Sequence, residues 1–358
     1  MEKAKPTRAT RGRGASGNPS PRFIEVDREA FDDGWTPDEA AETPLKTYVA
    51  FEQARSILSR NNSPDIPFSI SINPYRGCEH GCIYCYARPS HAYLDLSPGL
   101  DFESRLFVKS NAAALLHDAL AAPRYEPDVI ALGANTDPYQ PIERRYRITR
   151  RVVEVLAQCR NPFTITTKSA LVERDIDLLL QARQYNAVSV NISVTTLDHA
   201  LARRLEPRAT APRRRLQTIE RLARAGIPVT VLFAPVIPGL NDHELESVLE
   251  AAAAAGAMAA GYVVLRLPLE VNPLFQQWLA DNEPLKAKRV MHRVEAMRDG
   301  RQNDSQFGSR MQGSGEFATL LNQRMVLAQR RFGLDRPAPM LSTADFRRPH
   351  VSPQMVLF

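Results

Sequence analysis

From about residue 67 the chain alternates between two hydrophobic patterns. Short runs rich in β-branched and aromatic residues, at Phe68–Asn73, Val129–Gly133, Phe163–Thr167, Val188–Val194, Val229–Ala234 and Tyr262–Leu267, read as strands. Between them, apolar residues at helical spacing cover Asn111–Ala121, Thr149–Gln158, Glu173–Gln184, Arg213–Ala225 and Asp242–Ala255. Gly226 closes one helix just before Pro228 and a valine-rich run, and Asn241 or Asp242 opens the next, which ends near Gly256. Strands separated by helices of this length mean βαβ units and a parallel sheet. Six of them predict an α/β fold, either a partial (β/α)6 barrel or a doubly wound sheet. No internal repeat is visible.

The flanks read differently. Residues 1–22 are rich in Pro, Gly, Ser and Arg and predict a disordered basic tail. Residues 23–66 read as a polar, acidic arm with a helix over Thr47–Arg60, its Val49, Ala50 and Ile57 turned inward. After a core at 67–270, residues 271–358 form a helical extension: Pro273–Arg298 looks helical, Asp299–Gly315 is polar and rich in Gly and Ser, and Phe317, Leu320, Leu321, Met325 and Val326 mark an amphipathic helix ending at Gly333.

Composition narrows the class. The 358 residues are 44% hydrophobic and 24% charged, ordinary for a soluble globular protein. Disorder throughout, a collagen repeat and a disulfide scaffold are excluded. The longest uncharged apolar stretch, Ala251–Leu265, is interrupted by Gly256 and Gly261 and falls short of the ~20 residues of a membrane span. The basic N-terminus has no apolar run behind it, so no secretory signal is read, and a cytoplasmic protein without membrane contact is expected. The net charge of +6 sits mostly in the tail, where Lys3, Lys5, Arg8, Arg11, Arg13 and Arg22 face only Glu2. The fold itself is not broadly basic.

Three of the four cysteines, Cys78, Cys82 and Cys85, fall within eight positions directly after the first strand, on a loop containing Gly77 and Gly81. In a reducing compartment clustered thiols point to metal. Three thiolates hold three irons of a [4Fe–4S] cluster and leave one iron open for a ligand. The alternatives are a Cys3His zinc site completed by His80 or His91, or buried thiols that cluster by chance. His80 reads as a supporting residue, His91 as structural more readily than as facing the site, and Cys159 as a small buried hydrophobe.

The Cys-x3-Cys-x2-Cys spacing with Tyr84 before the third cysteine resembles the radical SAM superfamily. The run through Tyr86-Ala87-Arg88, Asn135-Thr136-Asp137-Pro138, Lys168 and Ser193 resembles in particular the spore photoproduct lyase-like group, over about 67–268. The resemblance implies a [4Fe–4S] cluster on Cys78, Cys82 and Cys85, with S-adenosylmethionine on the open iron. It further implies one-electron cleavage of the C5′–S bond to a 5′-deoxyadenosyl radical, hydrogen abstraction from a substrate, and an electron donor such as flavodoxin or ferredoxin. Carried over by position, Tyr84, Thr136, Lys168 and Ser193 contact S-adenosylmethionine. Functional residues of α/β barrels gather at the C-terminal strand ends. Short polar side chains there, Asn135 and Asp137 among them, suit the ammonium and carboxylate of the methionine moiety. Arg208, beside Glu206, and Ile237 complete the candidate set, Ile237 at a position where superfamily members contact adenine. Spore photoproduct lyases carry a cysteine near the second strand end as hydrogen donor. Here Ala134 and Asn135 stand there, so thymine-dimer reversal by that route is not implied.

Arginines cluster at Arg144–Arg151, Arg203–Arg215 and Arg298–Arg310. They read either as phosphate contacts for a nucleic-acid partner or as solvated, salt-bridged faces. The loop Gly300–Gly315 reads as a cap on the barrel mouth or a linker. Two functions follow: a radical enzyme acting on an unidentified, possibly nucleic-acid, substrate, or a non-catalytic iron–sulfur or zinc regulator that binds nucleic acid through its tail.

Overall fold

The computed structural model describes residues 12–23, 45–337 and 340–350. Its centre is a parallel sheet of β1 (Ile70–Ile72), β2 (Ile130–Leu132), β3 (Phe163–Thr167), β4 (Val188–Ser193), β5 (Val229–Val236) and β6 (Ala259–Val264). The strands pair in sequence order, with Ile70 opposite Ile130, Ile130 opposite Phe163, Phe163 opposite Val188 and Val190 opposite Val229. An antiparallel strand, Leu58–Arg60, borders β1, so this strand and β6 are the two edges. The helices α1 (Ala112–Ala121), α2 (Ile148–Gln158), α3 (Ile176–Arg183), α4 (Pro212–Arg224) and α5 (Leu245–Ala254) fill the crossovers. Short parallel strands need both faces covered, which is why their residues are apolar almost without alternation.

One loop shows that the sheet curls. Residues 299–313 touch both edges: Arg310 pairs with Asp65 beside the first edge, while Asn303 accepts from the Leu267 amide at 3.2 Å beyond the other. Arg298 donates to Leu265 O at 3.0 Å and to Ser309 O at 3.0 Å. The loop that read as a cap on the barrel mouth or a linker instead bridges the two edges of the sheet, stitched across the seam between them.

Several expectations change. The helix expected over Thr47–Arg60 is absent; Tyr48–Glu52 is instead a strand, parallel to Arg105–Lys109, which in turn pairs with Tyr75–Arg76. Alternation along Tyr-Val-Ala-Phe suits a strand once a partner exists, and tertiary pairing overrides a weak local pattern. The helix expected over Pro273–Arg298 is two, α6 (Val271–Asn282) and α7 (Pro284–Ala296). Pro284 cannot donate into a continuing helix and disfavours helical geometry at Glu283, so it starts a new helix instead. The third crossover opens with a 3-10 turn, Ala170–Asp175, and a further helix, His199–Leu205, lies where none was expected. The amphipathic helix is α8 (Gly315–Phe332), capped by Gly333 at φ 68° as the sequence predicts. No described helix is long and apolar enough to cross a membrane.

The main core lies between the sheet and α1–α5 and α8, with Phe163, Ile165, Val190 and Phe233 fully buried. A second core joins Ile83 and Tyr84 of the cysteine loop to Ile237 after β5 and to Phe275 and Leu279 of the extension. Phe233→Ala should cost about 3–5 kcal/mol in a denaturant melt, whereas Leu285→Ala, at an almost fully exposed position, should stay within about 0.5 kcal/mol of the parent.

Candidate cofactor site at the strand ends

The cysteine loop is fixed at both ends by backbone. The Cys78 amide donates to Phe102 O at 2.9 Å, the Ile83 amide to Leu205 O at 3.1 Å and the Arg88 amide to Cys85 O at 3.2 Å. Gln140 clamps the loop from the far side of β2, accepting from the Glu79 amide at 2.9 Å and donating to Gly77 O at 3.1 Å. Gly81 is required twice over: its φ is 69°, and a Cβ there would stand 2.7 Å from the Glu103 carboxylate. Cys78 and Cys82 are buried, Cys85 is half-buried, and all three are free thiols.

Charge is concentrated beside them. Lys168, at the end of β3, places Nζ 2.7 Å from Ser193 Oγ, 3.0 Å from Thr195 Oγ1 and 3.2 Å from Glu206 Oε1. Glu206 is fully buried and also accepts from Tyr84 Oη, Thr195 Oγ1 and Arg215. Burial alone would raise the Glu206 carboxyl; Arg215 and Lys168 outweigh it and hold it well below the carboxylate range. Burial pushes the Cys82 thiol up and Glu206 adds to this, while Lys168 and Arg215 pull the other way. Cys78 is likewise raised by burial and then by Asp137. Burial would raise Asp137 too, but His80, 3.3 Å away, the Lys168 amide and the Thr167 hydroxyl keep it lowered.

The structure thus brings Tyr84, Lys168 and Ser193 together around Glu206 and Thr195. Thr136 is buried, its hydroxyl donating to Tyr75 O at 3.2 Å, and Asn135 is exposed at the same strand end with its amide on Asn73 Oδ1 at 2.9 Å. Asp137 lies behind Lys168 and orders that turn. Arg208 is turned to Glu79, at 3.0 Å. Ile237 is fully buried in the second core, with its amide on Asn241 Oδ1 at 2.6 Å. His91 does not face the thiols: it packs edge-on to Phe102 and Phe107 with Nε2 2.9 Å from Arg105 O. Cys159 is buried in the main core, as expected. Sequence reasoning missed Glu206 and Arg215 as partners of the site. The Leu205-Glu206-Pro207-Arg208 run stood out, but nothing local shows that Glu206 reaches across to Lys168.

The N-terminal tail needs a larger correction. Residues 1–11 lie outside the described residues, but residues 12–22 form an ordered strap rather than a disordered tail. Glu103 receives the Gly14 and Ala15 amides, each at 2.9 Å, and pairs with Arg88, which itself donates to Cys82 O at 2.9 Å. Arg13 donates to Glu103 O at 2.6 Å and to Leu45 O at 2.8 Å. The strap continues through Ser97 Oγ, which donates to Pro19 O at 2.6 Å, to Arg22 beside Glu270 at 2.9 Å. A glycine- and arginine-rich segment carries no core signature, so only these distant partners reveal its order.

A sheet with a three-thiol loop at its strand ends and a lysine–glutamate–arginine set beside it is the frame of a cluster-binding α/β barrel. The radical SAM superfamily model matches residues 72–252, and the chain belongs to that superfamily. It is 40% identical over 225 residues to an uncharacterized protein of Mycobacterium tuberculosis, covering 62% of this chain and 66% of the relative, and so spans about two thirds of that protein's length. A radical SAM Nalpha-GlyT isomerase of Pseudomonas phage M6 is 24% identical over 313 residues, 78% of this chain and 62% of that one. Among solved structures, a spore photoproduct lyase mutant superposes with a TM-score of 0.58 over 79% of each chain at 15% identity. The same lyase complexed with dinucleoside spore photoproduct gives 0.53, again over 79% of each, at 16%. These likenesses describe the fold.

Membership implies a [4Fe–4S] cluster and S-adenosylmethionine, and the residues present fit them. Three soft donors, two buried and one half-buried, lie on one loop, with the cations Lys168, Arg215 and Arg88 beside the thiols to favour their deprotonated, metal-bound form. Among the described residues no three His, Cys, Asp or Glu side chains close around a single ion. A cube that binds each thiolate on its own iron does not require that they should.

Two outcomes follow. Glu206→Ala leaves Lys168 and Arg215 without their shared carboxylate and should cost about 3–5 kcal/mol in thermal unfolding of the cluster-free protein; an unchanged melting curve would remove Glu206 from this role. Because the folded carboxyl is held low, its contribution is complete above about pH 5 and declines as the pH falls through and below that range. Gly14→Val places a Cβ where only 1.8 Å separates it from Gly81 O, so the strap should detach. Trypsin should then cleave after Arg13 far faster than in the parent, with the cut mapped by mass spectrometry.

Proposed function

We propose that this protein is a radical SAM enzyme that reductively cleaves S-adenosylmethionine and uses the resulting radical to abstract hydrogen from a substrate. The observation that supports it is the convergence of Cys78, Cys82 and Cys85 with the Lys168–Glu206–Arg215 set at one end of the barrel. When bound there, the cluster supplies one electron to the sulfonium, whose C5′–S bond breaks to give methionine and a 5′-deoxyadenosyl radical. Cys78, Cys82 and Cys85 hold three irons. Lys168 and Ser193 would meet the methionine carboxylate, and Asn135 and Thr136 its ammonium. Glu206 holds Lys168 in place, and Tyr84 closes the wall between the loop and β4. The electron comes from a small donor of the flavodoxin or ferredoxin kind, and the buried loop beneath the strap keeps water and oxygen from the reduced centre.

The substrate is one that reaches the seam between β6 and the cysteine loop, and a nucleic-acid strand is the class we favour. The absence of a cysteine at the second strand end points away from repair by a cysteine hydrogen donor at that position.

Anaerobic reconstitution followed by dithionite and S-adenosylmethionine should release 5′-deoxyadenosine. Cys82→Ala should abolish both the cluster absorbance and the product, while Cys159→Ala should leave both in place. A colourless protein with one zinc per chain would overturn the assignment.

A further inference from the structure

Many of the partly buried arginines near the sheet are paired with carboxylates. Arg150 meets Asp175 and Asp177, Arg174 meets Glu143, Arg214 and Arg221 share Glu173, and Arg215 meets Glu206. Part of each cluster that read as a possible phosphate contact in the sequence is therefore internal, while Arg144, Arg145, Arg147, Arg203 and Arg213 stay exposed.

Arg266 differs. It follows the last strand, two residues beyond Val264, and is half-buried with its Nε enclosed and without a hydrogen-bond partner. Among the described residues, its one polar contact through NH1 is the Met311 sulfur at 3.8 Å. The charged groups around it are Arg298, Arg310, Asp65 and Asp304. Neither carboxylate is free to serve it. Asp65 holds Arg310 and the Gly308 amide, and Asp304 holds Ser309 and the Gln306 amide. A guanidinium enclosed with no anion is costly, and its planar fork matches an oxyanion better than any other group.

Its position gives the vacancy a use. The guanidinium lies 5.6 Å from the centre of the Tyr86 ring. Tyr86 directly follows Cys85, is 46% exposed, and bonds through its hydroxyl to Ala134 O at the end of β2. On the other side of the seam Arg310 covers Phe307, which is 57% exposed. Arg310 is held by Asp65, so among the described residues the surface offers one free cation near two exposed rings, and single-stranded nucleic-acid surfaces use such a combination with the phosphate on the cation and the base on a ring.

We infer that Arg266 is the substrate's oxyanion anchor, binding a phosphodiester of a single strand laid along the seam so that the adjoining nucleotide faces Tyr86 and the cysteine loop. This names a substrate class for the function proposed above and rests on that reading only for what happens after binding.

The test uses the reconstituted holoenzyme and fluorescein-labelled dodecathymidylate, read by anisotropy over a range of salt concentrations. Arg266→Gln should weaken binding about five- to tenfold at low salt and reduce the slope of log affinity against log salt by about one. Arg266→Lys, which keeps the charge but not the fork, should lose less and carries the test if the glutamine variant fails to retain its cluster. A dodecamer with a neutral methylphosphonate backbone should bind parent and variant alike, and weakly. Equal affinity of Arg266→Gln and the parent for the charged strand would overturn the inference. So would an oligoglutamate peptide that binds as tightly and shows the same loss, or loss of S-adenosylmethionine binding with the strand unaffected. The assay reads binding without turnover. Failure to form 5′-deoxyadenosine would sink the proposed function and leave this result standing, and the reverse holds equally.

Discussion

The site depends on one buried carboxylate. The Glu206 side chain has no exposed surface, yet it meets Lys168, Arg215, Thr195 and Tyr84, four groups from four separate stretches of chain. Two buried cations would be untenable without it, and a buried anion would be untenable without them. The set therefore acts as a unit. It pins the end of β3 to the end of β4 and both to the cysteine loop, so the thiols and the polar wall that faces them cannot move independently. Preorganisation of this kind is what an enzyme must provide when the cofactor carries the chemistry.

A second buried carboxylate performs the matching task on the outer side of the loop. Glu103 joins Arg88, which holds Cys82 O, to the amides of Gly14 and Ala15 in the strap. Gly14 lies against Gly81, and Gly81 against Glu103, at distances that leave no room for a Cβ on either glycine. The cysteine loop is thus held between two ion pairs, one facing the barrel and one facing the strap. The strap that this outer pair receives lies outside the region matched by the superfamily model, since residues 12–23 precede residue 72. The two edges of the sheet are joined independently, by Asp65, Arg310 and the 299–313 loop. What closes the barrel and what seals the loop are separate devices, both supplied by the flanks.

Much of this was readable in advance, and the reason differs from element to element. β3, α1, α2 and α4 carry strong periodic patterns with clear boundary residues, and observed limits lie within one residue of expectation. Gly333 ends α8 because only a residue at ease with positive φ can cap a helix in that way. Tyr48–Glu52 failed because a five-residue strand takes its stability from a partner at Arg105–Lys109, more than fifty positions away. The break between α6 and α7 was visible in Pro284 and was overridden by the longer apolar pattern around it. For the site, Cys78, Cys82, Cys85, Tyr84, Lys168 and Ser193 were legible because each sits in a short motif or at a strand end. Glu206 and Arg215 were not, since a charged residue beside a proline looks like surface until its partners are known. Arg13 looked like tail for the same reason.

By itself, the sequence determined the alternation of strands and helices, the three-thiol spacing and hence the chemistry those thiols suit. These are local properties, set by side-chain periodicity and by the number of residues between donors. Only the tertiary structure decided which charges are paired, that a polar segment before the core becomes a strap, and that Arg266 is left without an anion. Pairing energies depend on distance and burial between residues far apart in the chain, and neither quantity is written in the order of the residues.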